Sequence, residues 1–206
     1  MTGRLRAVAV FCGSSRGSDP AAAEAAADFG RRLARGGTRL VYGGGRVGLM
    51  GVVADATLAA GGAVTGVITR ALDAREVAHG GLSELRVVET MHERKAAMAD
   101  AADAFVMLPG GFGTWEEFTE AVTWTQLGIH TKACGVLDVA GFYQPLVNLV
   151  AAAVENGFVR PQHAGLVIVE RDPAALLDRL AAWQPPAADE LTGPTGGPGM
   201  LGPGQR

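Results

Sequence analysis

The stretch Pro109-Gly110-Gly111-Phe112-Gly113-Thr114-Trp115-Glu116-Glu117 holds the residue types best suited to chemistry in this 206-residue chain. Residues 104–108 before it are apolar throughout, as in a strand covered on both faces, and a helical pattern follows over 114–127. Glycines let a backbone approach a ligand closely. The free N–H groups of a helix start, with the helix dipole behind them, attract an anion. Thr114-Trp115-Glu116-Glu117 also fits a capping box, with Thr114 as the cap and Glu117 reaching back. Spacing leaves two roles open for Glu117. It either caps its helix or stands beside a bound phosphate, free to turn to the attached sugar.

Two further motifs carry charge or glycine. Thr90-Met91-His92-Glu93 is a second capping-box pattern, followed at once by Arg94 and Lys95. Cations in a first turn oppose the helix dipole, which an anionic ligand would relieve; the plainer alternative is a solvated face. No histidine follows His92-Glu93 at metal spacing, so a zinc helix is rejected and no metal is expected. Gly43-Gly44-Gly45-Arg46-Val47-Gly48 fits the dinucleotide fingerprint between a strand and a helix. The next strand, however, ends Val67-Ile68-Thr69-Arg70 without the carboxylate that binds ribose hydroxyls, and the fingerprint follows the second strand rather than the first. A generic phosphate or ribose contact, or a tight turn where helix and sheet pack closely, fits better.

The elements that must position these residues alternate. Strand patterns occupy residues 5–11, 39–42, 63–68, 85–88, 104–108, 133–137 and 166–169. Helical patterns occupy 21–34, opened by Asp19-Pro20, then 48–60, 91–101, 114–127, 142–156 and 173–183. Residues 70–82 read as a long loop. The alternation predicts an α/β fold, a doubly wound, mostly parallel sheet with helices on both faces. In such sheets ligands bind beyond the carboxyl ends of the strands, so the loops after Phe11, Tyr42, Ile68 and Leu108 should share one working edge. Residues 1–183 form one domain in this reading, and the Pro/Gly-rich residues 184–206 a disordered tail.

Composition narrows the partners. A net charge of −3 with 19% charged residues argues against nucleic-acid or acidic-membrane binding. The apolar run at residues 7–11 is too short for a signal peptide, and no stretch is long enough to span a bilayer. Cys12 and Cys134 form no disulfide framework and read as small buried hydrophobes, which suits a reducing, cytoplasmic setting.

Four blocks, Cys12-Gly13-Ser14-Ser15, YGGGRVGLMG at 42–51, MHERK at 91–95 and PGGFGTWEE at 109–117, together resemble the LOG ("Lonely guy") family. Its members are cytokinin riboside 5′-monophosphate phosphoribohydrolases, which release a free N6-substituted adenine and ribose 5-phosphate. The resemblance covers residues 5–183. It implies a Rossmann-like fold, a small nucleotide substrate, no cofactor, and a homodimer with its active site near the subunit interface. It places catalytic roles on Arg94 and Glu117. Substrate contacts fall on Glu76, Arg94, Lys95, Gly111, Phe112, Gly113, Thr114, Trp115, Glu116, Glu117 and Thr123. The chemistry of the loop adds Gly110, whose N–H belongs to the same phosphate cradle. Trp115 and Thr69 depart from the family's common leucine and proline. Two rivals remain: a broader nucleoside 5′-monophosphate nucleosidase acting on AMP, and a non-catalytic carrier resembling the molybdenum cofactor carriers, which share the PGGxGT loop.

Overall fold

The computed structural model describes residues 3–74 and 78–186. Seven strands form one wholly parallel sheet: β1 Ala7–Phe11, β2 Arg39–Tyr42, β3 Val64–Thr69, β4 Glu84–Val88, β5 Ala104–Met107, β6 Ala133–Leu137 and β7 Val167–Glu170. They lie in the order β4-β3-β2-β1-β5-β6-β7. Helices α1 Pro20–Arg35, α2 Gly48–Ala59, α3 Arg70–Asp73, α4 Met91–Asp100, α5 Phe112–Gln126, α6 Gln144–Glu155, α7 Pro161–Ala164 and α8 Pro173–Ala182 connect them.

Each strand alternates its side chains between two cores, which is why the inner strands are apolar at nearly every position. Val8, Val10, Leu40 and Val106 face Phe29 and Leu33 of α1, Leu49 and Val53 of α2, and Leu176 and Leu180 of α8. Ala9, Val41, Phe105 and Met107 face Met98 of α4, Phe118 and Ala121 of α5, and Tyr143. The two faces make the fold doubly wound, as the alternation of patterns predicts. Among the described residues, no helix is long and apolar enough to cross a membrane.

Where sequence and structure differ, local chemistry explains it. The span 70–82 is not all loop: Thr69 ends β3 and caps α3, its hydroxyl accepting from the Leu72 N–H. Ala78 then pairs with Gly45 in an isolated bridge, and the His79 N–H donates to the Gly44 carbonyl at 2.9 Å, so this connection folds back over the loop after β2. The short α7 was not expected from the sequence; Pro161 at its first turn starts a helix too brief to show periodicity. The other ends that differ move by one or two residues, a usual margin for helix and strand boundaries. Of the expected tail, residues 184–186 extend past α8 without regular structure, and residues 187–206 lie outside the described part.

Strand order reverses between β1 and β5, and the loops leaving these two strands flank the crevice that such a reversal creates. The Gly13 N–H donates to the Pro109 carbonyl at 3.0 Å and the Leu108 N–H to the Phe11 carbonyl at 2.9 Å, which ties the two loops together. The start of α2 closes in from the side: the Leu49 N–H donates to the Gly13 carbonyl at 2.9 Å. Gly48 is required there. It holds φ at +62°, and a Cβ would run into the Ser14–Ser15 backbone. The fingerprint-like glycines thus serve close packing one strand away from the reversal.

Candidate functional site

A cleft of about 480 Å³ opens where the strand order reverses. Gly13, Ser14, Ser15 and Arg16 after β1 form one wall, Pro109, Gly110 and Gly111 after β5 another, and Ala22 and Leu49 close the side toward α1 and α2. Helix α5 starts at this cleft, three residues earlier than the capping-box pattern predicts. Gly111 is its N-cap and offers no side chain, so no side-chain cap bonds the N–H groups of its first turn. An uncapped helix start beside a cleft is a ready anion site. Thr114 therefore sits inside the first turn, buried at 4% exposure, and packs against Gly110, where a Cβ would collide with its side chain. Glu117 belongs to the second turn and caps nothing; its partner is Arg94 instead. The capping reading of Glu117 is thereby corrected.

Helix α4 does carry the capping box expected for it. The Thr90 hydroxyl accepts from the Glu93 N–H at 3.1 Å, while the Glu93 carboxylate accepts from the Glu89 N–H at 2.9 Å, one residue further back than the standard pattern. This start sends Arg94 inward. Its Nε donates to the Val67 carbonyl at 2.9 Å, and its Nη1 donates to Glu117 Oε1 at 2.5 Å. The two side chains are 8% and 12% exposed. The guanidinium lies against Gly43, where any Cβ would strike Nη2, so the first glycine of the fingerprint-like run makes room for the arginine. The arginine expected to contact substrate thus has two of its donors committed inside the protein.

Beside the pair, Lys95 Nζ donates to Glu116 Oε1 at 2.5 Å and to Glu120 Oε1 at 3.0 Å. Burial works against this ammonium, but the two carboxylates outweigh it and raise its pKa. Glu117 moves upward for a different reason. Burial disfavours its charge, and Arg94 pulls it back only in part.

The structure brings Arg94, Lys95, Glu116 and Glu117 into one cluster on the α4–α5 side of the sheet edge. Gly110, Gly111, Phe112, Gly113 and Thr114 sit at the cleft itself or on the turn above it. The cluster and the cleft share helix α5, which starts from the cleft-lining Gly111 and carries Glu117 in its second turn. Phe112 and Trp115 stack edge to face at 5.3 Å, with Phe112 86% exposed at the mouth. Thr123 lies elsewhere. Its hydroxyl is spent on the Thr119 carbonyl at 2.7 Å, and it lines an apolar groove between α5 and α6 rather than the cleft. Glu76 falls outside the described residues. Val139, Ala140 and Phe142, after β6, form a cleft wall that the sequence reading did not name. That loop leaves the same carboxyl edge as the others, and Asp138 with Gly141 was the turn signal that could have drawn attention to it.

Both cysteines are buried: burial pushes the Cys134 thiol up to about 12, and burial with the nearby Glu117 charge pushes Cys12 higher still. Such thiols are inert at neutral pH. Among the described residues no group of three or more His, Cys, Asp or Glu side chains could hold a metal.

An α/β protein of the Rossmann-like class, with an anion-ready helix start beside a buried arginine–glutamate pair, is what fold and site define. A family model described as "Possible lysine decarboxylase" matches residues 50–180. Cytokinin riboside 5′-monophosphate phosphoribohydrolase LOG7 of Arabidopsis thaliana is 43% identical over 92% of this chain and 87% of its own. The cytokinin riboside 5′-monophosphate phosphoribohydrolase of Rhodococcoides fascians is 48% identical over 81% of this chain and 85% of its own. The chain belongs to this phosphoribohydrolase family, the LOG family. Among solved structures, the molybdenum cofactor carrier protein of Chlamydomonas reinhardtii superposes with a TM-score of 0.65 at 20% identity, covering 84% of this chain and 94% of its own, a likeness of fold.

The decarboxylase wording finds no support in the lysines. Pyridoxal phosphate chemistry needs a lysine amine for a Schiff base. The chain has only Lys95 and Lys132. Lys95 is held protonated between two carboxylates, and Lys132 donates to the Ala99 carbonyl at 2.5 Å at the amino edge of the sheet, opposite the cleft.

One pH effect follows from the burial of Glu117. A carboxyl whose folded pKa is raised keeps its proton to higher pH than an ordinary glutamate. Activity that needs Glu117 ionised should therefore fall on acidification at a pH above the usual glutamate range. A kcat/KM profile against pH measures it, and an acidic limb at or below the ordinary value of 4.5 would contradict it.

Proposed function

We propose that this chain hydrolyses the N-glycosidic bond of N6-substituted adenosine (cytokinin riboside) 5′-monophosphates, giving the free base and ribose 5-phosphate. The observation that carries the reading is the pairing of an uncapped helix start at a cleft with a buried carboxylate–guanidinium pair one turn further along the same helix. The activity for which relatives at 43% and 48% identity are named supports it.

Cleaving this bond builds positive charge on the ribose ring. A carboxylate near the anomeric carbon stabilises that charge or orients the attacking water, as in glycosidases. Glu117 takes this role. Arg94 holds its carboxylate in one place and favours its ionised form, and the guanidinium edge beside Gly43 is left for the substrate. Lys95, anchored by Glu116 and Glu120, adds positive charge next to the pair. The phosphate sits on the N–H groups of Gly110, Gly111, Phe112, Gly113 and Thr114, and its binding energy holds the ribose over Glu117. A substrate in this position lies across the ends of β1 and β5. Trp115 and the exposed Phe112 border the base, and Glu76 belongs to the same site by its match to the family pattern. The reaction as assigned draws on no cofactor.

A second copy of the chain completes the assembly in this reading. The groove between α5 and α6, about 400 Å³, is lined by Val122, Leu146, Val147, Val150, Val167 and Val169, with Thr119 and Thr123 on its rim. Leu149 on α6 and Phe158 beyond it are exposed at 65% and 87%. Apolar surface of this kind is typical of subunit contacts. A homodimer closed here turns Thr123 toward the partner, which reconciles its expected substrate contact with its distance from the chain's own cleft. A cytoplasmic setting agrees with two buried, unpaired thiols.

The substrate panel is AMP, N6-isopentenyl AMP and adenosine, with release of free base as the signal. Both monophosphates should be cleaved, the N6-substituted one with the higher kcat/KM, and adenosine should be at least about tenfold slower for want of the phosphate contacts. Equal turnover of adenosine and AMP would remove the phosphate site. Intact nucleotides throughout would favour a carrier. Light scattering should give twice the chain mass of 21.1 kDa, and an active monomer would overturn the dimer.

A further inference from the structure

The turn after β6 is built more tightly than a connection requires. Asp138 is buried at 3% exposure, and its carboxylate accepts from the Tyr143 N–H at 2.8 Å. Between them Ala140 holds φ at +51°, the one non-glycine residue with positive φ among the described residues, followed by Gly141 at +78°. A side-chain-bearing residue stays in that region only where its surroundings fix it, and such positions gather at functional sites. Here the fixed points are Asp138 at one end and Tyr143 at the other, with Phe142 edge-on to the Tyr143 ring at 4.8 Å.

Tyr143 is 2% exposed, and its ring packs in the α4–α5 core. Its hydroxyl does something a core ring does not need. It donates to the Leu108 carbonyl at 2.8 Å, at the last position before Pro109. The next carbonyl, that of Pro109, accepts from the Gly13 N–H at 3.0 Å, so both carbonyls ahead of Gly110 are held. The N–H of Leu108 is already committed to Phe11. One hydroxyl therefore joins the β6–α6 turn to the end of β5, directly ahead of the glycine loop.

We infer that Tyr143 is a positioning residue for the phosphate-binding loop: its hydroxyl, clamped from the β6–α6 turn, fixes the Leu108 carbonyl, and with it the backbone leading through Pro109 to Gly110, so that the N–H groups at the start of α5 are aimed before phosphate arrives. The inference rests on the proposal that phosphate binds there. It gives the Asp138–Tyr143 turn its purpose, since a strained, buried anchor is what keeps the phenol from following the loop when the loop moves. Pre-aimed donors cost no reorganisation on binding, so the effect belongs in affinity for the phosphate group.

Tyr143→Phe keeps the ring and removes only the hydroxyl. KM for AMP and the dissociation constant of ribose 5-phosphate, measured by calorimetry, should both rise about tenfold, the scale of one hydrogen bond, with kcat changed much less. A purely structural role would lower Tm and leave both constants alone. Asp138→Ala removes the acceptor that anchors the Tyr143 N–H and should move the constants in the same direction; it serves as the test should Tyr143→Phe not fold. Unchanged KM and dissociation constant in a folded variant would overturn the inference. Wild-type protein that binds AMP without cleaving it would defeat the hydrolase proposal yet leave the comparison of dissociation constants valid. Wild-type protein that binds neither ligand would defeat both.

Discussion

The contact between Arg94 and Glu117 constrains the rest of the site. Two ionised groups held this far from water are costly unless geometry is good and the remaining donors find partners. The fold supplies those conditions from four separate elements. The carbonyl at Val67 in β3 takes Nε, the glycine after β2 clears space for Nη2, the Thr90 cap sets the start of α4, and α5 brings the carboxylate. Replacing Gly43 by anything larger displaces the guanidinium. Replacing Glu117 by an apolar residue leaves a buried cation unpaired. Such a pair is weak evidence for stability, since well-packed apolar residues often do as well.

The same reasoning assigns the glycines. In the loop after β5, Gly110 leaves room for the Thr114 side chain, and Gly111 caps α5 without closing its N–H groups. In the loop after β2, Gly43 makes way for Arg94, and Gly48 lets α2 approach the loop after β1. One run lines the cleft and the other faces protein, although both read as glycine loops between a strand and a helix. Strand order decides between them: β1 and β5 flank the reversal, and β2 lies one place outside it.

Sequence patterns made most of this legible, for identifiable reasons. Buried parallel strands are short apolar runs, so β2 and β6 are found at their observed bounds. The Asp19-Pro20 and Thr90 helix starts show because capping is local chemistry. Local chemistry misled at Thr114, where a capping-box pattern falls inside a helix that glycine had already begun. The pairing of Arg94 with Glu117 is not legible from spacing, because it joins helices in different β–α units through the order of the sheet. The Asp138–Tyr143 turn escaped for a related reason. Its left-handed Ala140 and buried phenol depend on contacts 35 residues away in sequence, at Leu108. Thr123 shares a helix with Glu117 but lines the groove between α5 and α6 instead of the cleft.

The central claim is that the Glu117 negative charge, rather than its bulk or its hydrogen bond, drives the chemistry. Glu117→Gln tests it directly, because glutamine still offers an oxygen to Arg94 and the side chain keeps its size. With AMP or N6-isopentenyl AMP as substrate, kcat should fall by about 10² or more, the scale for losing one preorganised electrostatic group, while nucleotide affinity and Tm stay near those of the parent protein. A folded Glu117→Gln protein that turns over at close to the parent rate would contradict the account.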